Sequence, residues 1–135
     1  MERISRHEYF IESAKLTAKR STCPKKQVGA VLVKEGRIIA MGYNGVLPGT
    51  KHEEGIDELG ITHTVHAEAN LIAFCAKEGI STNGCTLYTT LSPCIKCAEL
   101  IIQSGIKNIF YIESYRVVDG LDLLSKHNVK VNITL

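Results

Sequence analysis

The first part of the chain carries apolar residues at helical spacing. Ser5 followed three residues later by Glu8 forms a capping box, which predicts a helix that begins there and continues to about Arg20. The less polar face of this helix would be formed by Phe10, Ala14, Thr17 and Ala18.

Two apolar, β-branched runs follow this helix. Residues 28–33 and 37–43 flank the short glycine-containing connection 34–36, an arrangement typical of a β-hairpin. Residues 45–62 are rich in Gly, Glu, Asp and Lys and have no firm period, so we expect a surface loop there.

The second half of the chain alternates between helical and strand-like patterns. Such alternation favours parallel crossovers in which helices cover a sheet. The predicted elements are a helix from Val65 or His66 to about Lys77 with Gly79 beyond its end, a strand at 86–90, a helix whose first turn holds Ser92 and Pro93 and which Gly105 closes, a strand at 108–112, a short helix at 121–124 and a strand at 129–135.

Length and composition indicate one folded α/β domain over residues 1–135. The chain is long enough to bury a single core, and 44% of its residues are hydrophobic while 22% are charged. A net charge of +2 does not by itself imply polyanion binding, and we expect no nucleic-acid partner. A few well-placed cations can still hold a small phosphate.

Cysteine usage and apolar runs bear on the compartment. The sequence after Met1 lacks the apolar stretch of a signal peptide, and no run approaches the roughly 20 apolar residues that span a membrane. The five cysteines are odd in number, and two are spaced as Cys94-x-x-Cys97, which favours a reducing compartment and metal ligation over disulfides. We therefore expect a cytoplasmic protein.

Cys94, Cys97 and His66 form a candidate zinc site. Two cysteines three residues apart lie on one face of a helical turn, so both sulfurs can reach one ion. The positive end of the helix dipole favours their thiolate forms, which are the forms that bind metal. Three protein ligands leave the fourth tetrahedral position for water, as in catalytic rather than structural zinc sites.

Glu68 is the candidate proton carrier of this site. It lies two residues from His66, so it cannot share the histidine's helical face, but it can lie beside the water. A carboxylate there can take a proton from water and pass it to a ring nitrogen and then to a departing amine. Hydrolytic deamination needs these transfers.

Two other functions of a Cys-x-x-Cys pair remain open at this point. A redox pair would need a thioredoxin-like setting, which the preceding His-x-Glu helix does not supply. A structural zinc would usually need a fourth ligand, for which Cys85 is available in the sequence.

The two clusters together resemble the signature of the zinc nucleobase deaminases. His66-x-Glu68 followed by Pro93-Cys94-x-x-Cys97 matches that signature, its zinc ligands and its glutamate proton shuttle. The resemblance covers nearly the whole chain and implies a cytidine-deaminase-like, three-layer α/β/α fold with a five-stranded mixed sheet, an N-terminal hairpin and parallel C-terminal strands. Segments that resemble the deoxycytidylate deaminase branch are 28–33, 42–45, 65–70, 90–94, Tyr115-Arg116 and Gly120-Leu121-x-Leu123-Leu124.

The resemblance also implies residues that bind a nucleotide. Asn44 would bond the sugar hydroxyls or the nearby phosphate linkage, and the backbone N–H of Ala67 would hold the pyrimidine carbonyl. Tyr115 and Arg116 would close over the nucleotide and meet its 5′-phosphate. Further phosphate candidates are Arg20 and Lys25; arginine suits this task because its fork can engage two phosphate oxygens.

Three functions follow as hypotheses. The first is zinc-dependent deamination of dCMP to dUMP, which supplies thymidylate synthesis, with one catalytic Zn²⁺ per chain. The second is a sister deaminase that acts on cytidine, free cytosine or tRNA adenosine; the small net charge and the Ser92-Pro93 pair favour the mononucleotide. The third is a non-catalytic zinc module that binds nucleotides or a partner, against which an intact Glu68 argues.

Regulation follows from the resemblance alone. Members of this branch are often homohexamers activated by dCTP and inhibited by dTTP, with the effector near residues 42–45, and Mg²⁺ would accompany such a triphosphate. The cysteine-free loop between Asn44 and His66 has His52 and His63 as its only soft ligands, so we do not expect the second zinc site of some members.

Overall fold

The structure, a computed structural model, describes residues 1–134. Its helices and strands follow the order that the sequence pattern predicts. They are α1 (Arg6–Ala18), β1 (Gly29–Lys34), β2 (Arg37–Tyr43), α2 (Ala67–Glu78), β3 (Thr86–Leu91), α3 (Ile95–Gln103), β4 (Asn108–Glu113), α4 (Asp119–Lys126) and β5 (Lys130–Ile133).

The strands form one mixed, five-stranded sheet with the order β2-β1-β3-β4-β5. β1 pairs antiparallel with both β2 and β3, whereas β3, β4 and β5 run parallel. The expected α/β fold, with an N-terminal hairpin and parallel C-terminal strands, is confirmed. Because α3 and α4 follow parallel strands, the carboxyl ends of β3 and β4 meet at one edge, where ligand sites of such sheets commonly lie.

Helices cover both faces of the sheet, which confirms the three-layer arrangement. On one face, Phe10 and Ala14 of α1 pack with Val31 and Val33 of β1. The alternate residues of β1 face α2, α3 and α4 in the larger core, because successive side chains of a strand point to opposite faces. This larger core includes Ala30, Leu32, Leu71, Leu87, Ala98, Ile101, Ile109 and Leu124.

Two helix boundaries differ from the sequence prediction. α1 ends at Ala18, before Arg20, although its predicted cap is present: the Ser5 side chain accepts the backbone N–H of Glu8. α3 begins at Ile95, so Pro93 lies before the helix and not in its first turn. The reason is that Ser92 still follows the sheet, where its N–H donates to the Glu113 carbonyl at 2.9 Å.

The predicted surface loop has some structure of its own. A short 3-10 helix occupies His52–Gly55, and isolated bridges pair Gly45 with Val65 and Ile56 with Thr62. Among the helices of residues 1–134, none has the length and apolar character needed to cross a membrane. The final strand, predicted at 129–135, is observed as β5; Leu135 lies outside the described residues.

Candidate active site

The starts of two helices place the three predicted metal ligands together. His66 is the N-cap of α2, Cys94 is the N-cap of α3, and Cys97 follows in the first turn of α3. His66 Nδ1 lies 3.5 Å from Cys94 Sγ and 3.4 Å from Cys97 Sγ. Both helix dipoles therefore direct their positive ends toward this cluster.

The spacing of these atoms fits a tetrahedral zinc ion. Bonds of about 2.3 Å to sulfur and about 2.0 Å to nitrogen separate two ligand atoms by about 3.5 Å. The ligand atoms of His66, Cys94 and Cys97 all lie within 4.8 Å of one another, and this is the only group of three such donors within residues 1–134. Two thiols and one imidazole are also the ligand types that zinc prefers.

The two thiols differ in acidity. Hydrogen bonds from the Cys97 thiol and from His66 lower the pKa of Cys94 to about 3. The hydrogen bond with Cys94 and burial raise the pKa of Cys97 above its ordinary value. A divalent cation that binds both sulfurs would displace any proton that they still carry, because thiolates are the forms that bind metal.

Glu68 lies in the first turn of α2, beside the ligand cluster, and only 4% of its surface is exposed. Burial raises the pKa of Glu68 to about 7, against the lowering effects of its own backbone N–H and of His66. A carboxyl group with a pKa near neutrality can both accept and donate a proton, which is the property a general acid and base requires.

A cavity of about 220 Å³ opens on the cluster and on Glu68. Four of the six predicted nucleotide-binding residues line it: Lys25, Asn44, Ala67 and Tyr115. The sequence analysis did not single out five other polar residues that also line it: Cys23, Lys26, Thr62, Thr64 and Ser92.

The start of α2 is fixed against the end of β2. A Cβ atom at Gly42 would lie only 2.6 Å from the Ala67 carbonyl oxygen, so the missing side chain permits this close approach. Asn70 Nδ2 donates to the carbonyl oxygens of Tyr43 at 2.7 Å and Val65 at 3.3 Å. These contacts hold Ala67, whose N–H is free of intrahelical bonds at its helix position, beside the cavity.

Asn44 is buried and largely engaged in local hydrogen bonds. Its Oδ1 accepts from the Ser21 hydroxyl and from the Val28 backbone N–H, and its Nδ2 donates to the Lys26 carbonyl at 2.7 Å. The single hydroxyl hydrogen of Ser21 is shared between Oδ1 and the main-chain carbonyl of Asn44, and one N–H of Nδ2 remains. Asn44 can therefore act on a ligand as a donor through Nδ2.

Two neighbouring lysines at the cavity differ in their partners. Lys26 Nζ donates to both carboxylate oxygens of Glu113, at 2.8 and 3.0 Å. Lys25 makes no ion pair within residues 1–134. Lys25 is thus the cation that remains available to an anionic group entering the cavity.

The two predicted phosphate-binding arginines lie outside the lining of this cavity. Arg20 follows the end of α1 and lines a separate cavity with Tyr9, Leu16 and Met41, because the α1 face of the sheet is opposite to the face that carries α2 and α3. The placement of Arg20 does not support the predicted contact. Arg116 is exposed and adjoins Tyr115, which does line the cavity.

Cys85 does not complete a four-ligand site. It is 1% exposed in the larger core, and its Sγ is directed to the Ser81 carbonyl at 3.7 Å. His63, which lies in the loop before α2, pairs instead with Asp57 at 2.8 Å. The cluster thus has three protein ligands and adjoins the cavity, which is the arrangement of a catalytic rather than a closed zinc site.

The cavity residues missed by sequence analysis come from segments without a periodic pattern. Thr62 and Thr64 precede α2, and the Thr64 hydroxyl is directed to Cys23 Sγ at 3.7 Å. Hydrogen bonds from the backbone of Lys25 and Lys26 and from Thr64 lower the pKa of Cys23, against the raising effect of burial. Cys23 and Lys26 lie far from the two motifs along the chain, and Thr64 and Ser92 lie two residues before His66 and Cys94, at positions that neither motif specifies.

Comparison with known proteins shows relatives that match most of the chain. The family model for the cytidine and deoxycytidylate deaminase zinc-binding region matches residues 4–113. ComE operon protein 2 of Bacillus subtilis is 47% identical over 121 residues, which are 86% of this chain and 64% of that protein. Human deoxycytidylate deaminase is 40% identical over 114 residues, which are 78% of this chain and 63% of that protein.

A solved structure matches the whole fold. The dCMP deaminase of cyanophage S-TIM5, in complex with dCMP and dUMP, superposes with a TM-score of 0.91 at 34% identity and covers 99% of this chain and 100% of that one. The chain spans less than two thirds of the length of the first curated relatives that it matches.

Proposed function

This chain belongs to the cytidine and deoxycytidylate deaminase family, and we propose that it converts dCMP and water to dUMP and ammonia. The observation that carries the proposal is the buried carboxyl group of Glu68 beside the cluster of His66, Cys94 and Cys97, with Glu68, His66 and Cys94 lining one cavity. The likeness to a dCMP deaminase whose structure holds dCMP and dUMP supports this choice of substrate.

His66, Cys94 and Cys97 would hold one zinc ion per chain. When bound, Zn²⁺ acts as a Lewis acid that lowers the pKa of water from 15.7 to about 7, which makes hydroxide available at neutral pH. The protein contributes a ligand set whose spacing fits the ion, and two helix N-termini that favour the thiolate forms of the cysteines.

Glu68 would move the protons of the reaction. As the water oxygen forms its bond to C4, the carboxylate takes one proton from that oxygen and delivers it to the ring nitrogen N3. It then takes the second proton of the same oxygen and delivers it to the amino group on C4, so that the oxygen becomes the new carbonyl. The C4–N bond then breaks and ammonia leaves. A pKa of about 7 lets Glu68 serve in both directions at neutral pH.

Backbone and amide groups would orient the base and the sugar. The N–H of Ala67, unpaired within the first turn of α2, would donate to the pyrimidine carbonyl. Asn44 would donate its remaining Nδ2 hydrogen to a sugar hydroxyl oxygen or to an oxygen of the phosphate linkage. Its own hydrogen bonds to Val28 and Lys26 hold the amide plane in place for this contact.

The 5′-phosphate would bind near the mouth of the cavity. Lys25 lines the cavity and has no carboxylate partner within residues 1–134, so its charge is available. Tyr115 also lines the cavity, and the exposed Arg116 beside it would reach the same phosphate. Lys26 would contribute less, because Glu113 already neutralises its charge.

Ultraviolet assays of zinc-loaded protein on dCMP, CMP, deoxycytidine and dCTP test the proposal. Rapid turnover of dCMP with little turnover of deoxycytidine supports both the reaction and the phosphate contacts. Turnover of deoxycytidine alone retains the zinc chemistry but removes the roles of Lys25 and Arg116. No turnover of any of the four by the zinc-loaded protein favours the sister deaminases or a binding module.

We also propose regulation of a cytoplasmic homo-oligomer, with a hexamer favoured. A second cavity of about 390 Å³ adjoins Gly42, Tyr43 and Gly45, and would receive dCTP or dTTP together with Mg²⁺. Such an effector would change substrate affinity by about 1–3 kcal/mol. Hyperbolic dCMP kinetics that neither triphosphate alters would remove this part of the proposal.

A further inference from the structure

The segment that carries Tyr115 is tied to the residue that follows β3. Ser92 is 3% exposed, and its hydroxyl accepts the backbone N–H of Tyr115. Its own N–H donates to the Glu113 carbonyl. Leu91 and Glu113 form the last backbone rung between β3 and β4, so the Ser92 side chain adds one further rung beyond the end of the sheet.

The other end of this segment rests on the same short stretch of chain. A Cβ atom at Gly120 would lie 2.3 Å from the Pro93 carbonyl oxygen and 2.9 Å from the Cys94 carbonyl carbon, so α4 begins in direct contact with the metal-ligand segment. Residues 114–118, between these two attachments, are exposed. Of these residues, Tyr115 is the one that lines the cavity.

Ser92 therefore connects two parts of the site. It precedes the ligand Cys94 by two residues, lines the cavity itself, and bonds the backbone of the segment whose Tyr115 also lines the cavity. Alanine at this position would leave the Tyr115 N–H without its acceptor while the rest of the ladder remained. No other side chain of residues 1–134 accepts a hydrogen bond from that N–H.

We infer that Ser92 is a positioning residue, whose hydroxyl places Tyr115 against the cavity and thereby strengthens the binding of a 5′-phosphorylated pyrimidine nucleotide. This inference rests on the proposed function for the identity of the nucleotide. The hydrogen bond itself, and the order that it gives to residues 114–118, do not depend on that function.

The test compares Ser92→Ala with Ser92→Thr and with a matched control, Thr89→Val. Thr89 lies on β3, three residues before Ser92; it is 1% exposed, and its hydroxyl donates to the Leu91 carbonyl at 2.9 Å. Its substitution removes a buried hydroxyl without removing the Tyr115 acceptor. Ser92→Thr keeps the hydroxyl and is the rescue variant.

Three measurements are made on each zinc-loaded protein: hydrogen exchange of the Tyr115 amide, the dissociation constant of dUMP by calorimetry, and KM and kcat for dCMP. In Ser92→Ala, we expect faster exchange of the Tyr115 amide. We also expect KM for dCMP and the dissociation constant of dUMP to rise roughly fivefold, which is the effect of losing one neutral hydrogen bond. The zinc content should be unchanged and kcat should change less than about twofold, because the lost contact lies away from the reacting atoms. Thr89→Val should match the wild type in all three, and Ser92→Thr should lie closer to the wild type than Ser92→Ala.

Unchanged Tyr115 exchange in Ser92→Ala, or unchanged dUMP affinity, would overturn the inference. A fall in kcat equal to the fall in kcat/KM would also overturn it, because it would assign Ser92 to the chemical step. If the wild-type protein does not turn over dCMP, the proposed function fails instead. Amide exchange and dUMP binding then still decide whether Ser92 positions Tyr115.

Discussion

The side-chain oxygen of Asn44 accepts the backbone N–H of Val28 at 2.8 Å, which ties the end of β2 to the residue before β1. The same amide also bonds the Ser21 hydroxyl and the Lys26 carbonyl, so one side chain connects Ser21 and residues 26–28 to the end of β2. Asn44 therefore has a structural duty in addition to its proposed contact with the nucleotide.

Replacing Asn44 should affect both stability and binding. In Asn44→Ala, the buried Val28 N–H loses its acceptor, so the free energy of unfolding should fall by about 1–3 kcal/mol. KM for dCMP should rise as well, since the remaining Nδ2 donor is lost. Asn132→Ala is the control. Asn132 lies on β5, donates to the Ile109 carbonyl of β4 at 3.2 Å, and does not line the cavity. A lower stability with unchanged KM would show that Asn44 has no role in binding.

Lys25 and Lys26 should differ in their effect on phosphate recognition. Lys25→Met should raise KM for dCMP by roughly tenfold, the low end for a hydrogen bond to a charged group, and should leave deoxycytidine turnover unchanged. Lys26→Met should have a small effect, because Glu113 already pairs with Lys26. Steady-state kinetics on both substrates make the comparison. Equal effects of the two substitutions would contradict the selective role of Lys25.

Zinc binding should depend on two of the five cysteines. Cys94→Ser and Cys97→Ser should lose most of the bound zinc and all measurable turnover, whereas Cys85→Ala should keep one zinc per chain. Cys85 is buried in the core and lies outside the ligand cluster. Metal analysis after gel filtration measures the stoichiometry. Full zinc retention in Cys97→Ser would show that the ligand set is wrong.

The loop before α2 should be sensitive to acid through Asp57. Its carboxylate accepts the N–H groups of Leu59 and Ile61 at 2.9 Å and pairs with His63 at 2.8 Å. The hydrogen bond with His63, followed by that from Ile61, lowers the pKa of Asp57 below its ordinary value.

A lowered pKa in the folded state fixes the sign of this effect. The contribution of Asp57 is fully present above the ordinary carboxyl range, near pH 4, and is lost as the pH falls through the lowered value. The protection factors of the Leu59 and Ile61 amides, which are the observed exchange rates corrected for the intrinsic rate at each pH, should therefore stay high at pH 5 and fall only at more acidic pH. Asp57→Asn, which cannot carry the charge, should remove this pH dependence. Wild-type protection factors that fall between pH 7 and pH 5 would contradict the account.

Local patterns predicted much of the fold and of the metal cluster. The Ser5 cap and the hairpin at 28–43 depend on residues close in the chain, and the Cys94-x-x-Cys97 spacing places two ligands on one helical turn. The start of α3 was less predictable. Ser92 pairs with Glu113 on a neighbouring strand, and this long-range bond delays the helix past Pro93.

The cavity beyond the metal cluster could not be predicted in the same way. Lys25 and Lys26 are equivalent in sequence, and only Glu113, 87 residues from Lys26, distinguishes their charges. Arg20 is two residues beyond α1 and close in sequence to the cavity residues, yet it lines a different cavity on the other face of the sheet. Charge partners and sheet faces of this kind depend on tertiary contacts that no local pattern encodes.

The role of Glu68 is the central claim, and Glu68→Gln tests it most directly. The variant is compared with the wild type and with Glu78→Gln, an exposed glutamate at the end of the same helix, in dUMP formation from dCMP at equal zinc content. The account predicts that Glu68→Gln keeps its zinc and loses about 10²–10⁴-fold in kcat, the scale of general acid–base catalysis, while Glu78→Gln keeps wild-type turnover. Wild-type turnover by zinc-loaded Glu68→Gln would contradict the proposed mechanism.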